Sequence, residues 1–412
     1  MLPVCGVVYG FGAVSPLDIL AAAGSICEVV LIVSLDDPHN VKMLPVLRAL
    51  APTVVVERRE TTISVDGTSD FEFRGITTFS EEQIELTSVV AARLGLPYHS
   101  SEESIRLRDK AAQRTALADA GLPVPDAIVI PAGTSISDVE FNVQYPAVLK
   151  PRFGSGSRAT ICVEAREDIQ FVLESIGSAA RTSEDFVLES LIRGITTPGR
   201  EWLAPYISVD LAQENGVVLS VVVAERLPLI KPFREGGLIL PASLDPRQQQ
   251  NAIEVAGQAV RACSSSSGLF HVELILTESG WKVIEVNGRP GGPVHKLMGL
   301  TTRVNVARMS LEIALGIGIA FNNENTSVAM FQQLAPPMGA SSLTRGPDIA
   351  ALRAVDGVEN VEVHVRPGGA VDWRDGTPAA IVSIWSLAKS HDGIRLIAQR
   401  CCEIHDQSTE YA

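Results

Sequence analysis

Two carboxylates and a carboxamide stand out in the segment His271-Val272-Glu273-Leu274-Ile275-Leu276, Thr277-Glu278-Ser279-Gly280-Trp281, Lys282-Val283-Ile284-Glu285-Val286-Asn287. Both arms alternate, so Val272, Leu274 and Leu276 share one side with Ile284 and Val286, while His271, Glu273, Glu285 and Asn287 share the other. A three-residue loop, Glu278-Ser279-Gly280, sets Thr277 opposite Trp281 and therefore Glu273 opposite Glu285. Like charges directly opposed across two strands destabilise a sheet, and a divalent cation removes the conflict. An all-oxygen donor set suits Mg²⁺ or Mn²⁺ and argues against zinc. The alternative is a solvated polar face on an ordinary hairpin. Just beyond, Gly288-Arg289-Pro290-Gly291-Gly292-Pro293 presents one guanidinium. Such a group can grip a phosphate or carboxylate in bidentate fashion and stabilise charge on a transferred phosphoryl group, or it can serve as a surface or capping arginine.

A second constellation lies upstream. Lys150 ends the apolar strand Ala147 to Lys150, before Pro151 and the small-residue loop Gly154-Ser155-Gly156-Ser157. A lysine there can reach nucleotide phosphates while the loop N–H groups cover them. It is not a P-loop, because the lysine precedes the glycines, and a flexible hairpin tip is the competing reading.

These residues need a frame. Val4 to Tyr9, Glu28 to Leu35 and Thr53 to Val56 read as strands separated by helix-length segments, the pattern of an α/β layer with a parallel sheet. Gly10-Phe11-Gly12 is a partial dinucleotide fingerprint that lacks its third glycine, so it reads first as a strand-to-helix turn. A helix is expected from Ser80 to Leu94, stopped by Gly95, and another from Ser104 to Ala120, stopped by Gly121. The Gly-Ser loop joins two strands as a hairpin, with the second strand at Ala159 to Val163. Helices follow at Arg166 to Ile176 and Leu244 to Cys263, and strands at Phe186 to Glu189 and Val217 to Glu225.

Length and charge bound the function. At roughly 150 residues per domain, 412 residues predict about three domains. Lys and Arg number 34 against 48 Asp and Glu, a net charge of −14, which excludes a general nucleic-acid binder or an anionic-membrane sensor. The six cysteines are scattered, without CxxC or zinc spacing, and read as reduced thiols. The first basic residue is Lys42 and no run of ~20 apolar residues occurs, so neither a leader nor a membrane span is expected and a cytoplasmic protein is predicted.

Taken in order, these pieces resemble the ATP-grasp superfamily of carboxylate–amine ligases. The likeness runs through Thr78-Phe79-Ser80-Glu81, Arg108-Asp109-Lys110, Gly121-Leu122-Pro123, Tyr145-Pro146-Ala147-Val148-Leu149-Lys150-Pro151, Val187-Leu188-Glu189, Gly199-Arg200-Glu201, the Glu273 and Glu285 hairpin, and Asn287-Gly288-Arg289. Within the superfamily the chain looks most like the amino-acid ligases that form dipeptides, partly through Phe233-Arg234-Glu235-Gly236-Gly237-Leu238-Ile239-Leu240-Pro241. The resemblance implies an ATP-grasp fold with α/β and α+β parts. It divides the chain into an N-terminal α/β domain at 1–100, a small lid domain at 101–185 and a large domain at 186–412.

The resemblance also implies roles. Lys110 and Lys150 would contact ATP phosphates under a loop formed by Gly154, Ser155, Gly156 and Ser157. Glu189 would sit in the hinge that meets adenine, with Ile192 nearby, and Glu201 would hold the ribose. Glu273, Glu285 and Asn287 would bind Mg²⁺ or Mn²⁺, and Arg289 would steady the γ-phosphate and an acyl phosphate. Arg158 stands where small residues are usual, as an extra phosphate contact or a salt bridge. The implied reaction joins a carboxylate to an amine with ADP and phosphate as products; a carboxylase or a kinase-like phosphotransferase is the alternative. Small-molecule carboxylate and amine partners are expected, with a homodimer left open. Glu235 would meet substrate, with Arg234 either beside it on the substrate or paired to it. Either His271 or His295 could take the amine proton or make only a structural hydrogen bond, the reading favoured for both, and Met330 to Pro337 and Val371 to Arg374 would help wall the pocket.

Overall fold

The computed structural model describes residues 1–59, 62–64, 67–134, 139, 142–176, 183–302, 304–319 and 327–412. At the N-terminus β1 (Val4–Tyr9), β2 (Glu28–Ser34), β3 (Thr53–Arg59), β4 (Thr62–Ser64) and β5 (Phe73–Thr78) form one sheet in the order β4-β3-β2-β1-β5. β1, β2, β3 and β5 run parallel, as the β-branched runs predict, and β4 turns back against β3. β5 is not legible as an apolar run, because Arg74, Gly75, Thr77 and Thr78 interrupt it. Helices α1 (Pro16–Ala23) and α2 (Pro38–Leu50) connect β1 to β2 and β2 to β3, and α3 (Ile84–Leu94) follows β5 and stops at Gly95 in the left-handed region (φ 67°).

The helix expected from Ser104 to Ala120 is two helices, α4 (Ser101–Arg108) and α5 (Lys110–Asp119). Asp109 breaks it. Its backbone is extended, and its carboxylate caps α5 by accepting from Ala111 and Ala112 N–H (2.9 and 3.3 Å) while gripping Arg152 through two bonds (2.9 and 2.6 Å). Lys110 thereby becomes the first residue of α5 and points toward the lid.

The lid sheet comprises β6 (Ala127–Ile130), β7 (Ala147–Pro151), β8 (Ile161–Val163) and β9 (Phe186–Ser190) in the order β6-β9-β7-β8, covered by α6 (Ile169–Ile176). Its core joins Leu149, Val163, Ile169, Phe186 and Leu188 with Trp373 from far along the chain. Placing β9 here moves the lid past the expected boundary at 185, because β9 pairs with β6 and β7. The expected start at 101 shifts too. α4 and α5 bury Leu107 and Leu117 in the core of the large sheet rather than in the lid.

That large sheet follows, with β10 (Tyr206–Glu214), β11 (Val217–Arg226), β12 (Gly237–Leu240), β13 (Gly268–Thr277), β14 (Gly280–Asn287), β15 (Val328–Leu334), β17 (Val358–Val363) and β18 (Val382–Ala388); the short pair β16 (Leu343–Arg345) and β19 (Glu410–Tyr411) stands apart. Its order is β14-β13-β10-β11-β12-β15-β18-β17, antiparallel throughout. Helix α7 (Pro246–Cys263) packs Ala252, Ala256, Ala259 and Val260 on one face. α8 (Val294–Thr301) and α9 (Val306–Ala314) cover the other, and α9 also sends Ala307 and Leu311 into the N-terminal core. α10 (Ile349–Arg353) and α11 (His391–Ser408) close the far end.

Candidate active site

The facing carboxylates arise by a different route from the expected one. Thr277 lies opposite Gly280, not Trp281, so the turn has two residues, and a bulge between Glu273 and Leu274 then lets Ile284 slip in as an unpaired extra residue. The shorter turn removes one residue and the bulge restores it. Glu273 therefore still faces Glu285, and His271 faces Asn287. Ile284 leaves the apolar side it was assigned and lines the cavity beside Glu285. Gln113 on α5 holds this strand in place: its amide donates to the Val286 carbonyl (2.8 Å) and accepts from the Val286 N–H (2.9 Å).

A cavity of about 490 Å³ opens between the lid and this part of the sheet. Its walls include Lys110, Lys150, Gly154, Ser155, Gly156, Ser157, Glu189, Ile192, Glu201, Glu235, Glu273 and Glu285, so residues from five separate stretches of chain converge. Lys110 Nζ lies 3.2 Å from Glu285 and donates to the Gly154 carbonyl (2.7 Å). It thus bridges the carboxylate pair and the loop. Lys150 Nζ lies 2.8 Å from Glu189.

Several assignments need correction. Glu189 does line the cavity, but its carboxylate is not free to meet a base. Arg114 grips it bidentately (3.0 Å each) and Lys150 takes the remaining side. Burial pushes the Glu189 carboxyl up, but these two cations outweigh it and hold it at about 2. Glu189 therefore fixes the ammonium of Lys150, whose own pKa burial lowers. Glu201 is exposed on the rim and accepts from the Gly199 N–H (2.9 Å). Arg158 lines the cavity as well, and of its two expected roles it makes the salt bridge, two-pronged, to Glu184 (3.0 and 2.6 Å).

Arg289 departs furthest. It pairs with Glu81 at 2.8 Å and lines a second cavity of about 540 Å³, between the N-terminal sheet and the large sheet, with Thr77, His99 and Ser310. It does not line the first cavity, although the charges of Glu285 and Glu273 still help to raise its pKa. Burial raises the pKa of Glu81 despite this arginine.

Neither histidine is placed to act as the base. His271 Nε2 lies 2.9 Å from Nη2 of Arg226, a group with hydrogens and no lone pair, so Nε2 must accept and the ring proton sits on Nδ1, facing Asp210 at 2.9 Å. His295 lines neither cavity. Arg234 does not pair with Glu235 but donates to the Lys231 carbonyl. Met330 is buried in the core and Trp373 in the lid, neither segment lines the cavity, and its apolar lining includes Pro228, Leu229 and Phe233 instead.

Arg226 is the main residue the sequence conceals. It is 1% exposed, stacks its guanidinium 5.5 Å from the Tyr206 ring, and donates to Glu235 (2.9 Å), Glu273 (3.3 Å) and His271. Burial disfavours charge on Glu273, yet this guanidinium beside it holds its pKa well below the usual carboxylate range. Asp210 completes the support. Besides holding His271 it accepts from the Gly291 N–H (2.8 Å), which fixes the loop that carries Arg289. Arg226 closes a β-branched run and Asp210 sits inside a strand, and neither position carries a spacing signal.

The donor set fits a magnesium ion. Asn287 is 2% exposed and its Oδ1 has no hydrogen-bond partner, while the opposed Glu273 and Glu285 add carboxylate oxygens. Among the described residues no three His, Cys, Asp or Glu side chains form a metal cluster. Two carboxylates with one carboxamide are the sparse protein share that Mg²⁺ takes when a phosphate supplies the rest.

Residues 107–293 match the family model described as an ATP-grasp domain. The chain carries an ATP-grasp domain. Among curated relatives, the uncharacterized protein y4rH of Sinorhizobium fredii is 29% identical over 346 residues, covering 82% of this chain and 69% of that protein. Human carnosine synthase 1 is 27% identical over 53% of this chain, which spans only 28% of its length. The crystal structure of an L-amino acid ligase from Bacillus licheniformis superposes with a TM-score of 0.76 at 19% identity, over 100% of this chain and 98% of the other. The architecture described above is thus the ATP-grasp fold. Among the described residues, no helix is long and apolar enough to cross a membrane.

Proposed function

We propose that this ATP-grasp protein is a carboxylate–amine ligase that activates a carboxylate as an acyl phosphate and transfers the acyl group to an amine, with ADP and phosphate as products. The observation that carries the reading is the convergence of Lys110, Lys150 and the Gly154 to Ser157 loop on one side of a cavity with Glu273 and Glu285 on the other. Cations and loop amides suit the phosphates, and the carboxylate pair with Asn287 would hold the Mg²⁺ that neutralises them. A free carboxylate is a poor electrophile, so its oxygen must first displace ADP from the γ-phosphate. The amine nitrogen then attacks the acyl carbon and phosphate leaves.

The chain's own share is positioning. Glu189 and Arg114 orient Lys150, and Glu285 orients Lys110 toward the loop. Glu235, steadied by Arg226, faces the apolar patch of Leu229 and Phe233, an environment suited to the ammonium of an amino-acid substrate. Its resemblance to a solved L-amino acid ligase supports the same substrate class.

The test is a pairwise panel of amino acids scored for phosphate and ADP release. Release that requires both a carboxylate and an amine, and that disappears in Glu285→Ala while the circular dichroism stays unchanged, is the expected result. AMP with pyrophosphate, or release that needs only bicarbonate, would overturn it.

A further inference from the structure

The segment Asp372 to Pro378 leaves the core of the large domain after Val371 and returns at Ile381, and between these points it crosses to the lid. Trp373 inserts among Leu149, Phe186 and Leu188, and Arg374 donates from Nε to the Ser175 carbonyl at the end of α6 (2.6 Å). The next residues meet the phosphate loop backbone to backbone. The Ala159 N–H donates to the Arg374 carbonyl (3.0 Å), and the Thr377 N–H donates to the Gly156 carbonyl (2.7 Å). Gly376 has φ +75°, and a Cβ there would overlap the Gly156 carbonyl oxygen, so only glycine permits this approach. Thr377 also faces the other way: its Oγ1 accepts from the Glu235 N–H (3.2 Å).

We propose that this strap makes Gly376 and Thr377 positioning residues that hold the phosphate loop and the Glu235 loop as one unit, so that phosphoryl transfer is tied to an occupied carboxylate site. One residue binds both loops at once, its backbone to Gly156 and its side chain to Glu235. A loop that shifts on nucleotide binding therefore pulls on the residue beside the substrate, and an ordered substrate loop holds the phosphate cover shut. The proposal rests on the ligase reading for its second half. In the unlatched state water reaches the acyl phosphate, adds to the acyl carbon and expels phosphate, which returns the free carboxylate without an amide.

Two variants and a rescue test it. In Gly376→Ala, hydrogen exchange of amides 154–159 with MgADP present should quicken, and calorimetric ADP affinity should fall, each about tenfold. Thr377→Val, which keeps the backbone bond and loses the hydroxyl, should leave ADP affinity unchanged. It should raise the KM for the carboxylate roughly fivefold and increase phosphate released per amide formed, and Thr377→Ser should restore both. Unchanged loop exchange in Gly376→Ala, or identical behaviour of the Val and Ser variants, would overturn the strap. Exchange and ADP affinity need no product. Absence of amide with every substrate pair would therefore sink the ligase reading while those two measurements still decide the latch.

Discussion

Arg226 shows how a single buried charge organises the site. Its guanidinium joins a carboxylate of the proposed metal set, Glu273, to a carboxylate of the proposed substrate set, Glu235, and fixes the tautomer of His271 between them. Replacing it by methionine keeps much of the volume but leaves both acids without their cation. Breaking a buried pair in this way costs about 3–5 kcal/mol. Arg226→Met is accordingly expected to lower the urea midpoint at unchanged slope, and chemical denaturation followed by tryptophan fluorescence would show it. Lys150 and the acid pair were legible from sequence, the lysine closing a strand before a small-residue loop and the acids alternating with apolar residues along a hairpin, whereas Lys110, the first residue of α5, rested on the resemblance alone. Arg226, Asp210 and Arg114 were not, because a lone charge within a strand or on a helix face reads the same whether it faces water or its partner. Glu189 illustrates the converse: its position was found and its task was not, since the partner that occupies it lies 75 residues earlier.

At the scale of elements, the break at Asp109 and the bulge at Ile284 do the positioning. Helical periodicity runs unbroken across Ser104 to Ala120, so nothing local announces that Asp109 exchanges a helical turn for a cap and a grip on Arg152. Asp109→Ala removes the cap and both arginine bonds, and should cost about 2 kcal/mol. It should also raise the KM for ATP, because Lys110 begins the helix that Asp109 starts; denaturation paired with steady-state kinetics checks both effects. The hairpin gave the right pairing from a wrong turn. Strand alternation fixes which residues share a face, but turn length and bulges are decided by neighbours such as Gln113, which clamps Val286 from another element. The C-terminal strands β15, β17 and β18 build no wall of the cavity and carry no motif, so their contribution to the sheet was not legible at all.

Across the whole molecule, the contacts between layers depend on groups that titrate. His99 lies between the N-terminal region and the large sheet, bonded to Ser264, and burial lowers its pKa from 6.5 to about 4. The unfolded chain binds a proton in that interval which the native chain refuses, so stability is full above pH 6.5 and falls as pH drops toward 4. Glu103 accepts from Ser100, Ser265 and Ser266, and these bonds outweigh burial to hold it at about 2, as the cations do for Glu189. Both carboxylates stabilise above pH 4.5, and that share is lost as pH falls from there toward 2. Thermal midpoints measured from pH 8 to pH 3 should therefore decline in two stages, the first below pH 6.5 and attenuated in His99→Gln. The walls of the proposed nucleotide cavity have a consequence of the same thermodynamic kind. Lys110, Arg114, Lys150 and Arg158 are matched there by Glu189, Glu201, Glu235, Glu273 and Glu285, two of which also share the buried Arg226, so the charges of the chamber nearly cancel. A bare triphosphate would meet no net attraction, and a bare cation would meet too few oxygens. Each supplies what the other lacks, which makes them obligate co-ligands with heterotropic cooperativity: titration of ADP in EDTA should give little heat, and the apparent affinity should climb with magnesium concentration.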